Sequence, residues 1–459
     1  MRKRIFLGLV VGLLLFQNLG LVSQAVRIVE VPAEQVEGVY NQAVDSNKMK
    51  EWPNGPHIYS ESGIVMDADS GSVLYGKNID DKHYPASITK VLTALVAVEN
   101  CDLNSKVKHS WEDVNNLESG ATHIGIKTDE EISMMDALHA ILLASANEVS
   151  NGVASNYPGG YEAYIEKMNS TAKELGCENS NFMNPHGLHH DNHYTTAYDM
   201  ALISAKAFQN ETFRKITNTK QYTIPKTNIT KIARPIHQKH KMLKSGAHHY
   251  EYCVGGKTGY TTKSLNTLVT FASKEGMNLV AVVIRTHGGN QNAYKDTRNM
   301  LDYAFENFEK MPIQVTELDG KDIVSMGEHA SVTLPKGLTV EKLESVYTDP
   351  TELGDKIGTV SYTYNDWDMG EVEYVISDTK YKEIHNIKPL EAPEEIKEGQ
   401  EKKSSKIPTA LLVVLIILIV LFVAVAALFL YVGYKRRAIE KMRKERRKKM
   451  LEEWEKERE

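Results

Sequence analysis

The chain is poor in cysteine: Cys101, Cys177 and Cys253 are the only three in 459 residues, too widely spaced for any C-x-x-C metal site. One disulfide with a thiol left over stays open. No internal repeat is present, which excludes a solenoid or array. Excess positive charge is lacking too. Against −6 for the whole chain, the tail from Lys435 to Glu459 contributes +5 and the residues Arg2–Arg4 contribute +3, which leaves −14 between them. An acidic body of that size argues against nucleic acid as a partner.

Long apolar runs are confined to the two ends. Residues 1–25 have a basic start, an apolar stretch from Ile5 to Phe16, and small residues at Ser23 and Ala25. That is the layout of a secretory signal peptide. From Ile407 to Val432 there is no charge, and ten Lys or Arg follow between Lys435 and Lys449. This predicts one transmembrane helix (407–434) with a basic cytoplasmic tail (435–459). The expected localisation is the cell membrane, single-pass type I, with everything between the two segments outside.

Between them, residues 26–55 form a lead segment. "SGIVMDADSGSVLYGKN" (Ser62–Asn78) reads as two strands around a turn, and "NTLVTFASKEGMNLVAVVIR" (Asn266–Arg285) as a hairpin around Glu275-Gly276. Helical patterns lie between them, at His83–Asn100, Ser133–Leu143, Tyr161–Gly176 and Thr195–Gln209, and a last one at Asp296–Phe308. Strands at both ends with helices between predict an α/β domain over 56–311 with a largely antiparallel sheet. Short alternating runs over 312–387 predict a small all-β domain, and the charged, Pro-containing residues 388–406 a stalk.

Three short motifs carry the chemistry. Ser87-Ile88-Thr89-Lys90 puts a hydroxyl and an amine on one helix face. Burial or a second cation would let the amine act as a base and make Ser87 a nucleophile. The same spacing occurs at Ser105–Lys108, Ser170–Lys173 and Ser377–Lys380, but only Ser87 leads directly into an apolar helix. Ser145-Ala146-Asn147 ends another apolar helix, where polar side chains can turn into a cleft. Lys257-Thr258-Gly259, after Gly255-Gly256, leads toward the hairpin, where a lysine and a hydroxyl at a strand edge can hold a carboxylate. Ser264-Leu265-Asn266 and Lys244-Ser245-Gly246 are decoys for these two.

The order S-x-x-K, S-x-N, K-T-G resembles the penicillin-interacting serine enzymes, most of all the low-molecular-weight D-alanyl-D-alanine carboxypeptidases. "MNSTAKELGCENSNFMNPHGL", "YTTAYDMALIS" and "VGGKTGYTTKSLNTLVTFASKEGMNLVAVV" extend the likeness, which runs from about Ile58 to Phe308. The resemblance implies the β-lactamase/DD-peptidase-like fold, an antiparallel sheet with flanking helices. It implies Ser87 as the acylated nucleophile, Lys90 as its base and Ser145 as a proton relay. Asn147, Lys257, Thr258, Gly259 and Tyr260 would bind substrate, with the backbone N–H groups of Ser87 and Tyr260 as the oxyanion hole. The expected partners are peptidoglycan stem peptides ending in D-Ala-D-Ala, β-lactam antibiotics and the membrane.

Two other readings stay open here. A class A β-lactamase would need a Glu-x-x-Leu-Asn loop in that family's pattern, and none occurs. A non-catalytic wall-peptide-binding protein would not need three intact motifs. "HGLHHDNH" (His186–His193) invites a zinc site, but no carboxylate or cysteine pattern completes one. No metal and no cofactor are assigned.

Overall fold

The computed structural model describes residues 32–314, 323–327, 330–351 and 355–385. The leader, the stalk, the Ile407–Val432 run and the basic tail lie outside the described residues. Among the described residues, no helix is long and apolar enough to cross a membrane.

Two turns set the register of the main sheet. Strands β1 (Ser60–Asp67) and β2 (Val73–Lys77) are joined where the Asp67 carboxylate accepts the N–H groups of Asp69 (2.8 Å) and Ser70 (3.1 Å). This local hydrogen bonding is what makes aspartate a turn former. After β3 (Cys253–Thr261), strands β4 (Leu265–Lys274) and β5 (Met277–Thr286) meet at Glu275-Gly276, both with positive φ. That conformation suits a tight hairpin. The order is β2-β1-β5-β4-β3, antiparallel throughout, with β3 at an edge. The antiparallel sheet expected from the sequence is therefore present.

Alternation along the strands divides two cores. Ile64, Met66, Val280, Val282 and Ile284 face the helical layer, including Val91, Leu92 and Leu95 of α2 (Lys90–Asn100). Val65, Leu279, Ala281 and Val283 pack on the other side against Met300, Leu301 and Ala304 of the long helix Asn290–Asn307. Both faces are covered, so the strands read as nearly continuous apolar runs. The pattern expected over Ser133–Leu143 is α-helical only over Met134–His139. It widens into a π turn over Ala140–Ala144, which delivers Ser145 in the left-handed region (φ 62°).

The β-rich part begins directly at the end of the long helix, with Phe308–Pro312 paired to Ser331–Pro335. A four-stranded antiparallel sheet follows, and Val360, Tyr362 and Tyr374 join the same core as Val65 and Leu74. Trp367 Nε1 donates to the Val73 carbonyl (2.7 Å), and Ser72 Oγ to that of Met369 (2.6 Å). This all-β region is thus docked on the β1–β2 turn.

The lead segment also has structure that its composition did not announce. Helix α1 (Ala33–Tyr40) is pinned by Lys77, whose buried ammonium donates to the carbonyls of Val39 (2.8 Å), Ile58 (3.1 Å) and Ser60 (2.9 Å). A cation at a helix C-terminus also meets the negative end of its dipole. Burial lowers the Lys77 pKa to about 8. Lys77→Met is expected to orphan all three carbonyls and lower stability by about 2–4 kcal/mol. Urea unfolding would measure this, and amide exchange should rise first over residues 33–40.

Candidate active site

The site is built where the first turn of α2 meets the free edge of β3. Pro85 and Ala86 start a 3₁₀ turn, Ala86–Thr89, that feeds straight into α2 and stacks Ser87 above Lys90. The turn is held from two sides. Thr267 Oγ1, on β4, donates to the Pro85 carbonyl (2.9 Å), and Gly187 presses on the Ala86 carbonyl so closely that a Cβ there would lie 1.9 Å from its oxygen. Ala86 itself has φ 51°, a strained value for a residue with a side chain.

Lys90 is fully buried, with Nζ 3.1 Å from Ser87 Oγ, 2.6 Å from Asn147 Oδ1 and 2.6 Å from the His186 carbonyl. No carboxylate forms a salt bridge with it among the described residues. Burial, then the nearby cations Lys257 and Lys239, hold its pKa well below the ordinary lysine value; Glu148 opposes them. A neutral amine has two hydrogens and one lone pair. Two acceptors, Asn147 Oδ1 and the His186 carbonyl, take the hydrogens. In that neutral form the lone pair would be free to face Ser87 Oγ, 3.1 Å away.

Ser145 closes the opposite wall. It accepts a hydrogen bond from Lys257 Nζ (3.0 Å), which also donates to the Thr258 carbonyl (2.7 Å). Burial, helped by Lys239, lowers the Lys257 pKa to about 7. Asn147 opens helix Asn147–Ser155; its N–H donates to Thr122 O (2.9 Å), and Glu148 Oε1 accepts from the Ile124 N–H (2.7 Å). The same short segment therefore supplies site residues and pins the loop beside them.

Ser87, Ser145, Thr258, Gly259 and Tyr260 line one cavity of about 350 Å³. Gly259 is required by close approach: a Cβ there would lie 2.3 Å from Thr267 Oγ1 and 2.9 Å from the Ser87 backbone nitrogen. The strand edge and the Ser87 N–H are thus side by side, as two oxyanion donors need to be. All eight residues singled out in the sequence meet here, Lys90, Asn147 and Lys257 through the hydrogen bonds above.

The sequence did not point to Lys239, Thr122 or Gly120, which line the same cavity. Lys239 precedes Lys257 in the chain and is placed by its N–H bond to the Leu143 carbonyl (3.1 Å). No motif marks it. The histidines of "HGLHHDNH" have other work. His186 contributes its carbonyl to Lys90, while its Nδ1 accepts from Leu188 N–H (3.1 Å). His193 bonds Thr89 Oγ1 through Nε2 (2.9 Å) and accepts the Met183 N–H through Nδ1 (3.1 Å). The decoy Ser264 closes a local turn with Thr261, and all three cysteines are free thiols.

Pairing hydroxyls with buried amines, without a histidine base, is serine acyl-transfer chemistry. With these motifs on this sheet edge, the class is that of the penicillin-interacting serine enzymes. Known proteins narrow it further. The family model described as D-alanyl-D-alanine carboxypeptidase, peptidase S11, matches residues 48–288, and the chain belongs to that family. It is 30% identical over 322 residues to the D-alanyl-D-alanine carboxypeptidase DacF of Bacillus subtilis, covering 66% of this chain and 80% of that one. It is 28% identical over 338 residues to DacC of Escherichia coli, covering 68% and 81%. Among solved structures, the D-alanyl-D-alanine carboxypeptidase of Mycobacterium tuberculosis superposes with a TM-score of 0.51 at 30% identity, covering 57% of this chain and 96% of that one. A Streptomyces K15 DD-transpeptidase variant gives 0.51 at 26%, covering 55% and 99%. The activity that goes with this family is that of a serine-type D-alanyl-D-alanine carboxypeptidase, a hydrolase.

Proposed function

We propose that Ser87 is the acylated residue, and that the enzyme trims the terminal D-Ala from wall peptides as follows. The terminal carboxylate sits against Lys257 and Thr258. Lys90 takes the Ser87 hydroxyl proton as Oγ adds to the carbonyl of the penultimate D-Ala, whose oxygen turns toward the N–H groups of Ser87 and Tyr260. The proton passes by way of Ser145 to the nitrogen of the last D-Ala, the C–N bond breaks, and that residue leaves as the free amino acid. Water, deprotonated by the same lysine, then hydrolyses the ester and regenerates Ser87. Penicillin enters the same first step and stays attached.

The observation that carries this reading is the environment of Lys90: buried, flanked by cations, and bonded to Ser87 Oγ and two fixed acceptors. Intact-mass and peptide-mapping analysis after benzylpenicillin tests it. A stable adduct on Ser87, absent from Ser87→Ala, is expected, together with D-Ala release from a D-Ala-D-Ala peptide by the wild type alone. Fast penicillin turnover without an adduct would make it a β-lactamase. Peptide binding with neither outcome would make it a binding protein.

The same proposal places the enzyme outside the cell on a single membrane anchor. The uncharged run Ile407–Val432 and the basic residues after it support that topology. Protease protection of the tail in membrane vesicles, with the catalytic domain accessible from the outer side, is the test.

A further inference from the structure

Charge is spread unevenly along the acidic body of this chain. Residues 212–250 hold nine Lys or Arg and not one Asp or Glu. Two of the nine are neutralised by partners outside the stretch, Lys215 by Glu211 and Arg234 by Glu130. Lys241 and Lys244 are exposed, and among the described residues neither forms a salt bridge.

One tyrosine gathers cations beside the catalytic cavity. The Lys241 backbone N–H donates to Tyr294 Oη (3.2 Å), and its Nζ lies 5.8 Å from the centroid of that ring. His248 packs on the same ring with centroids 4.9 Å apart. Burial, then Lys241 and Arg298, lowers the His248 pKa, so both cations bear on one spot. Arg298, one turn along the long helix from Tyr294, lies 4.9 Å from the Tyr250 ring centroid and donates to the His249 carbonyl. Lys244 follows Lys241 by a single 3₁₀ turn, its N–H on the Lys241 carbonyl (3.1 Å). Asp302, a further turn along, is engaged by the Tyr250 hydroxyl (2.8 Å). Lys241 and Tyr294 also line the cavity that holds Ser87, so the cationic face begins at the mouth of the active site.

What such a face takes follows from its charge and its openness. Lysine binds phosphate as a point charge. A linear phosphodiester keeps one negative charge on every repeat and can engage several exposed amines at once. Lipid headgroups carry the same chemistry, but a bilayer laid on this face would cover the opening through which a peptide reaches Ser87. We propose that the face made by Lys241, Lys244 and Arg298 docks a linear phosphodiester polymer of the wall, and so holds the catalytic mouth among its substrates. The inference rests on the proposed function for the outward placement of the domain.

The test measures the anisotropy of fluorescent poly(glycerol phosphate) added to the full-length protein in zwitterionic nanodiscs. Wild type is expected to bind it and to lose about 20-fold in affinity between about 50 and 200 mM salt, because three neutralised phosphates on a single chain give a slope of about −2. Lys241→Gln/Lys244→Gln should weaken binding about tenfold at the lower salt and bring the slope to about −0.7. Lys173→Gln/Lys206→Gln, on the helices Gly160–Glu174 and Ala197–Gln209, removes the same charge elsewhere and should bind as wild type does. No binding by wild type, or equal losses in the two double variants, would overturn the inference. So would binding to phosphatidylglycerol vesicles with none to the polymer, which would make this a membrane-facing surface. If the Lys241→Gln/Lys244→Gln protein does not fold, Lys244→Gln by itself decides, with an expected loss of about threefold. Failure of the proposed function reads out separately: such a protein would form no penicillin adduct on Ser87, whether or not it binds the polymer.

Discussion

Lys90→Met should acylate with benzylpenicillin about 10²–10⁴ times more slowly than wild type, the range that a positioned general base contributes. Methionine keeps the length and apolar stem of lysine but cannot accept the Ser87 proton. It leaves Asn147 Oδ1 and the His186 carbonyl without their donor, so stability should fall by about 1–3 kcal/mol, small beside the rate effect. Stopped-flow acylation and urea unfolding separate the two.

The pH profile carries the same argument. As the base proposed for Ser87, Lys90 would have to be neutral, so acylation is expected to fall as pH drops through its lowered pKa. Burial is the main cause of that lowering, and the cations Lys257 and Lys239 add to it. Removing a cation raises the pKa of its neighbours. Lys239→Gln should therefore move the acid limb to higher pH, by roughly half a unit given its exposed position. Lys257, at about 7, loses its charge on the alkaline side and with it some hold on the substrate carboxylate. Binding that carboxylate favours the charged form, so the alkaline limb should lie higher in kcat than in kcat/KM. An unmoved acid limb in Lys239→Gln would count against Lys90 as the base.

Gly187→Ala is the second large effect. Its φ of 81° already disfavours a side chain, and the added Cβ would stand 1.9 Å from the Ala86 carbonyl oxygen and 2.5 Å from its carbon. Backbone cannot give way as a side-chain tip can. Strain and overpacking together should cost about 2–5 kcal/mol. The turn that yields is the one that presents Ser87, so acylation should fall about 10²-fold in the protein that still folds, as an ångström of misplacement does. Gly125→Ala is the control: φ is 76°, yet nothing lies within 4 Å of the new Cβ. It should lose about 1 kcal/mol and keep its acylation rate. Comparable loss of rate in both would show that the contact with Ala86 does not matter.

Much of this molecule was legible before any coordinates. The β1–β2 turn and the Glu275-Gly276 hairpin follow from local chemistry, and the helix ending at Gln209 from periodicity and its Thr196 cap; the last helix was expected from Asp296 but begins at Asn290. Other features had no local signal. Helix α1 has a short, mostly exposed sequence, and Lys77, far along the chain, decides its position. The π turn before Ser145 interrupts a run that periodicity reads as plain helix.

The sequence by itself determined which groups could react: a hydroxyl and an amine at i and i+3, and a lysine with a neighbouring hydroxyl and glycine on a strand. Those are matters of covalent spacing and local geometry. The apolar helix after Ser87 set it apart from the other three S-x-x-K occurrences, but only the tertiary structure supplied the environment that the chemistry needs. Ser87–Lys90 differs from the others because remote segments bury its amine, bring Lys257 and Lys239 beside it, and supply the Asn147 and His186 acceptors. A lysine becomes a base only when its charge is expensive, and that cost is set by what surrounds it in space.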